Sequence, residues 1–146
     1  MKLKSLIRGI ELFEGLTDVE LDEIVAICQQ RRYKKGDFLA VEGEIGEDLF
    51  IVMEGMVEVL IHNRKKSPKV VINLGMGQLI GEMSLVDRGP RSATVRAIHE
   101  PTIVQTIRHQ EFHNLCQRNT RIGYVVMHNM AADLSFKLRH RHLSDR

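Results

Sequence analysis

The chain has only two cysteines, Cys28 and Cys116, far apart and outside any metal-ligand spacing. That argues against a disulfide scaffold and favours buried free thiols in a reducing compartment. No apolar run approaches the length of a membrane-spanning helix, about 20 residues. Residues 1–10 contain lysines but no long apolar segment and no small-residue cleavage site, so they do not read as a signal peptide. A cytoplasmic protein is the default expectation. Charge of one sign is also scarce: a net +2 over 146 residues does not by itself imply nucleic acid. Internal repeats and low-complexity stretches are absent. At this length, with 43% hydrophobic residues, a single domain with a real core is expected over residues 1–146.

Signatures of catalysis are missing as well. Gly75-Met76-Gly77-Gln78-Leu79-Ile80-Gly81 tempts a dinucleotide reading, but its third glycine falls one place late and no βαβ texture surrounds it. There is no Walker loop. Ser84 has no histidine near it in sequence and no nucleophile elbow around it. His109 and His113 lie four apart on a predicted helix, and His140 and His142 sit in a basic tail. Neither pair has an acidic or cysteine companion at zinc-ligand spacing. Only His62 and His99 fall in or beside strand-like runs, where a metal-binding roll would need its ligands. No catalytic residue, metal ligand or cofactor is expected.

What is present divides into three textures. Residues 1–30 read as helical. Leu3, Leu6, Ile7 and Ile10 fall at helical spacing. Thr17-Asp18-Val19-Glu20 is a capping box opening a second helix, with Val19, Ile24, Ile27 and Cys28 as packing positions and an end near Gln30. Residues 31–108 alternate short apolar runs with closely spaced glycines. Leu49 to Met53, Met56 to Ile61 and Val70 to Leu74 have strand length, as do Ser92 to Ile98 and Thr102 to Arg108. Glu54-Gly55 reads as a hairpin turn, and His62 to Lys69 as a basic loop closing another. Together they predict a mainly β fold, a jelly-roll-like β-roll of about eight strands.

Residues 109–142 revert to helix, with no proline after Pro101 and only Gly123 as a later glycine. A long helix is predicted from Asn119 or Thr120 to about His142. Its apolar residues Ile122, Val126, Met130, Leu134 and Leu138 are spaced four apart. At about 100° per residue this stripe drifts about 40° per step, so it winds around the helix. Phe136 lies nearly opposite Leu134. One surface can cover the roll; the other needs a partner, and a matching helix from a second copy is the simplest. A homodimer is the expectation.

The densest chemistry lies at residues 81–95. Gly81 and Glu82 stand where a strand gives way to a short helix, so the amides of Met83, Ser84 and Leu85 are expected as free donors for an anion. A Gly-Pro turn follows, and then Arg91, whose guanidinium can meet a phosphate through two parallel hydrogen bonds. Glu82 repels phosphate, but suits a ribose 2′-OH as acceptor. Carboxylate for sugar with amides and arginine for phosphate describe a small cyclic nucleotide. The duller alternative is a glycine-rich turn in which Arg91 merely pairs with Glu82. Arg88 reads as a solvated loop residue.

Gly81-Glu82-Met83-Ser84-Leu85 followed by Arg91-Ser92-Ala93-Thr94-Val95 resembles the phosphate-binding cassette of the cyclic nucleotide-binding domain family. Leu12 to Thr17 resembles its helical entry. Tyr33 to Asp37, Glu42 to Glu47 and Glu54 to Val57 resemble its glycine-marked turns. The resemblance covers roughly residues 10 to 140. It implies a cyclic nucleotide sensor or regulatory module and not an enzyme, with ligand cAMP or cGMP and cAMP favoured. Glu82 and the Gly81 backbone would hold ribose. Arg91, Ser92 and the amides of Ser84 and Ala93 would hold phosphate. Met83, Leu85 and Thr94 complete the expected site, with Leu85 and strand residues as its apolar wall. The long helix would swing over the purine.

The departures are informative. Where catabolite activators of the family supply hydroxyl groups to adenine, this chain has Lys137 and Leu138, so Lys137, Leu138 and Arg139 are the candidate base contacts. Ser92 keeps cGMP open. The resemblance stops short of a helix-turn-helix, a kinase inhibitory segment or a channel, so a stand-alone sensor, or one whose output lies on a separate effector, is expected. Two other readings are a nucleotide-free protein-interaction domain of the same fold and a roll-fold metal enzyme.

Overall fold

The computed structural model describes residues 2–62 and 68–144. They form two compact units: Met1–Val25 with Asn114–Arg146, and Ala26–His113.

The first unit is helical. Helix α1 spans Leu3–Arg8 and α2 spans Asp18–Ala26. The capping box forms as expected. The Thr17 N–H donates to Glu20 Oε1 at 2.9 Å, and the Glu20 N–H donates to Thr17 Oγ1 at 3.2 Å. The buried Glu20 carboxylate also pairs with Arg121, which offsets its desolvation. Helix α2 buries Leu21 and Ile24, whereas Val19, expected to pack, is 69% exposed. Helix α2 ends at Ala26, short of the expected Gln30, because Gln29–Tyr33 forms strand β1.

The second unit holds eight strands: β1, β2 (Phe38–Ala40), β3 (Asp48–Glu54), β4 (Val57–His62), β5 (Pro68–Leu74), β6 (Leu79–Ile80), β7 (Thr94–Ala97) and β8 (Thr102–Arg108). They make two antiparallel four-stranded sheets, ordered β1-β8-β3-β6 and β2-β7-β4-β5. Their inner faces supply Leu39, Phe50, Val52, Val57, Ile80, Val95 and Val104 to one core. This is the mainly β roll that the sequence predicts.

Two turns differ from the sequence reading. β3 and β4 lie in different sheets, so Glu54-Gly55 is not a hairpin turn but a corner where the chain changes sheet. Gly55 has φ +86°, and a Cβ there would stand 2.7 Å from the Pro101 carbonyl oxygen, so the corner demands glycine. β4 and β5 do pair, with His62 opposite Pro68. His62 and Lys69 are therefore strand residues; the centre of the expected basic loop, 63–67, lies outside the described residues.

Helix α3 (His109–Arg118) begins in the roll unit and ends in the helical unit, where α4 (Thr120–Ser144) follows. Within the helical unit, Asn129 Nδ2 donates to the carbonyls of Leu12 and Glu14, at 2.9 and 2.8 Å. The winding stripe behaves as its drift requires: Ile122, Val126 and Met130 are buried, whereas Leu134 and Leu138 are exposed. Neither cysteine is in a disulfide; burial pushes the Cys28 thiol up to about 12, so it stays protonated at neutral pH. No helix among the described residues is long and apolar enough to cross a membrane.

Candidate functional site

A cavity of about 240 Å³ opens in the roll unit. The chain around it is built from three segments. Strand β6 delivers Ile80, and Gly81 then turns with φ +73° into a short 3₁₀ turn, Glu82–Leu85. The loop from Asp87 to Ala93 supplies the opposite part of the rim, including Gly89, Pro90, Arg91 and Ser92. A third segment, residues 43–46, holds that loop in place. The Arg91 N–H donates to the Glu44 carbonyl at 2.7 Å, the Gly43 N–H to the Arg91 carbonyl at 2.9 Å, and Ile45 bridges Pro90.

Arg91 is fixed more closely still. A Cβ at Gly46 would fall 2.7 Å from its Nε, and one at Gly81 would fall 2.3 Å from its Nη1. The guanidinium therefore lies along two glycines where any larger residue would collide with it. Its Cζ stands 5.4 Å from the centre of the Phe50 ring, which supports the cation from the core side. Burial lowers the Arg91 pKa, and the nearby Asp48 carboxylate opposes that shift without cancelling it. Asp48 itself is engaged by Arg31 at 3.1 Å. Among the described residues no carboxylate lies within ion-pair distance of Arg91, so the expected dull pairing with Glu82 does not form. A half-buried guanidinium with no carboxylate in ion-pair contact is a site for an anion.

Most of the sequence-derived candidates meet here. Gly81, Glu82, Met83, Ser84, Arg91, Ser92 and Ala93 all line the cavity. Leu85 and Thr94 do not. Leu85 is buried and does not line the cavity, whose apolar wall comes from the strand residues Ala40, Ile80 and Val95. Thr94 is buried, and its hydroxyl accepts the Glu42 N–H at 2.9 Å. The expectation of a free Ser84 amide is also corrected. That N–H donates to the Gly81 carbonyl at 3.0 Å, because a 3₁₀ turn closes between residues three apart and takes up a donor one position earlier than an α-helix. The Ser84 hydroxyl donates to the same carbonyl at 2.7 Å. Lys137, Leu138 and Arg139 belong to α4 of the helical unit, where all three are exposed; Lys137 pairs with Asp133 at 2.9 Å.

Sequence reasoning missed Asp87 and Gly46. Asp87 lines the cavity with an acid, and its Oδ1 accepts the Gly89 N–H at 3.0 Å, which shapes the loop before Arg91. Asp-Arg-Gly-Pro carries that turn signal. Gly46 lies in a stretch that reads as a glycine-marked turn, but its steric role is set by a residue far along the chain.

Comparison with known proteins identifies the class. The cyclic nucleotide-binding domain family matches residues 30–119. The chain belongs to that family. It is 33% identical over 132 residues to the cyclic AMP receptor protein of Thermus thermophilus, covering 90% of this chain and 59% of that protein. It is 32% identical over 92 residues to the cGMP-dependent protein kinase of Plasmodium berghei, covering 63% of this chain and 10% of the kinase. The chain thus spans less than two thirds of either relative. Its fold matches the N-terminal domain of a transcriptional regulator from Streptomyces coelicolor with a TM-score of 0.85, at 26% identity, covering 93% of this chain and 94% of that domain.

Proposed function

We propose that this chain is a regulatory cyclic nucleotide sensor that binds and releases its ligand unchanged, with cAMP preferred over cGMP. The observation that carries the reading is Arg91, a half-buried guanidinium with no ion pair among the described residues, sharing one cavity with Glu82. Arg91 would take the cyclic phosphate and Glu82 the ribose 2′-OH, with Ala40, Ile80 and Val95 against the apolar parts of the ligand. The cAMP preference is supported by likeness to a cyclic AMP receptor protein over 90% of the chain. Exposed Ser92 at the rim is the feature that would favour cGMP.

Calorimetric titration with cAMP, cGMP and 5′-AMP tests this. Saturable binding of cAMP, weaker binding of cGMP and recovery of intact nucleotide are expected; no uptake of either cyclic nucleotide refutes the reading. Glu82→Ala should weaken cAMP by about tenfold, the worth of one hydrogen bond to a charged group. The same substitution should leave 2′-deoxy-cAMP affinity nearly unchanged, because that ligand lacks the hydroxyl.

The sensor is further proposed to work as a homodimer through α4. Tyr124, Met127, Ala131, Leu134 and Leu138 follow alternating steps of three and four, a coiled-coil seam. Tyr124 and Leu138 are 69% and 67% exposed. Sedimentation equilibrium should give twice the chain mass for wild type and a monomer for Leu138→Glu. A monomeric wild type at all concentrations rules this out.

A further inference from the structure

The cavity around Arg91 carries more negative charge than positive. Its charged lining residues, among those described, are Glu82, Asp87 and Arg91. The nearby Asp48 carboxylate adds no cation to this set and is engaged by Arg31 at 3.1 Å. One ligand charge placed on Arg91 therefore uses up the guanidinium. A second ligand charge would find no cation left in the lining and would face two carboxylates. Backbone donors do not make up the difference. The Ser84 N–H is bonded to the Gly81 carbonyl, the Asp87 N–H to the Met83 carbonyl at 3.2 Å, and the Arg91 N–H to the Glu44 carbonyl. The Gly89 N–H, in the loop that lines the cavity, donates to Asp87 Oδ1 at 3.0 Å. Asp87 thus acts twice: it adds a carboxylate to the rim and occupies an amide that an anion could otherwise use. Glu82 suits the ribose hydroxyl, whereas Asp87 has no such task.

We propose that Asp87 is a specificity residue that selects ligands by charge: it admits a phosphodiester with one negative charge and disfavours a phosphate monoester with about two. The proposal rests on the reading of this cavity as a cyclic nucleotide site. A cyclic nucleotide and its linear 5′-monophosphate share base, ribose 2′-OH and phosphate, but the linear form carries the extra charge. A carboxylate that repels each ligand charge alike costs a dianion twice the free energy it costs a monoanion. Removing it therefore raises dianion affinity by the square of the gain for a monoanion. Asp87 is exposed, so the gain per ligand charge is modest, about two- to fourfold.

The test compares wild type with Asp87→Asn, which keeps an oxygen able to accept the Gly89 N–H and removes only the charge. Three ligands displace a bound fluorescent cAMP analogue from the full chain at mildly alkaline pH, where the monoester is fully ionised. They are cAMP, 5′-AMP and the methyl ester of 5′-AMP, a linear diester with a single charge. In Asp87→Asn, cAMP and the methyl ester should each bind about two- to fourfold more tightly, and 5′-AMP about four- to sixteenfold. A residue that only shapes the loop would change 5′-AMP and its methyl ester alike, and that result overturns the proposal. So does a variant in which 5′-AMP gains no affinity, or still fails to compete at millimolar concentration. A wild type that takes up neither cAMP nor cGMP refutes the underlying site reading instead; one that takes up cGMP alone is tested with the guanine forms of the same three ligands. Should Asp87→Asn fail to fold, salt decides the matter on wild type. The exposed carboxylate is screened more than the half-buried guanidinium, so raising the salt should narrow the affinity gap between 5′-AMP and its methyl ester. A gap that stays constant or widens overturns the proposal.

Discussion

Arg91→Ala should lower affinity for both cyclic nucleotides by about a hundredfold or more while leaving the fold intact. Two hydrogen bonds to a charged phosphate contribute about 3–6 kcal/mol together, and about 1.4 kcal/mol corresponds to tenfold. The fold does not depend on the side chain in the same way. Arg91 makes no ion pair among the described residues, and burial already disfavours its charge. Removing a partly desolvated cation that makes no ion pair costs the folded state little. The melting temperature without ligand should therefore stay level or rise, and the rise that cAMP gives wild type should vanish. Arg91→Lys should recover only part of the binding, because an ammonium cannot present a two-pronged donor. Titration and thermal melts with and without cAMP check all three; wild-type affinity in Arg91→Ala would remove the basis of the proposed function.

Gly46→Val should mimic that loss without touching a single candidate ligand contact. The new side chain would begin 2.7 to 2.8 Å from Nε, Cδ and Cζ of Arg91, closer than non-bonded atoms approach. Something must move, and the far end of a flexible arginine moves more cheaply than the backbone. Gly46 does not have the positive φ found at Gly43, Gly55 or Gly81, so valine brings no left-handed strain there. The expected outcome is a folded protein with cAMP affinity reduced at least tenfold, a misplacement effect, since two-pronged recognition depends on geometry. Combining Gly46→Val with Arg91→Ala should add almost nothing, because both remove the same interaction. Additive losses would show that Gly46 acts by another route.

Much of this was legible from residue types and spacing. The capping box at Thr17 and Glu20 is a local pattern, and it formed with both bonds. The strand-length apolar runs gave the roll because alternation and glycine-marked turns are short-range signals. Gly81 to Ser84 and Arg91 to Ala93 line one cavity because they lie within fifteen residues of one another in sequence. What escaped was set by distant neighbours. Gln29 and Gln30 read as a helix tail, yet Gln29–Tyr33 forms an edge strand because β8 offers it a pairing partner. Glu54-Gly55 has hairpin spacing, but the pairing of β3 with β8 and β4 with β7 sends the two strands to different sheets. The Ser84 amide and the Thr94 hydroxyl were spoken for by backbone groups that no pattern of side chains announces. Gly46 is visible only once Arg91 is seen lying against it.

The pairing of β1 with β8 sets the order in which these parts can assemble. Gln29 is joined to Thr106, which is 77 residues away along the chain, so the first strand waits for the last before it has a neighbour. Closing so wide a loop is entropically costly and comes before the contacts that reward it, which places such topologies among the slow folders. The glycines that seat the guanidinium flank β3 and β6, neighbours in the same sheet, so their spacing is set once those two strands pair. The cavity around Arg91 is therefore a product of the whole roll, with walls drawn from segments as far apart in sequence as Ala40 and Val95.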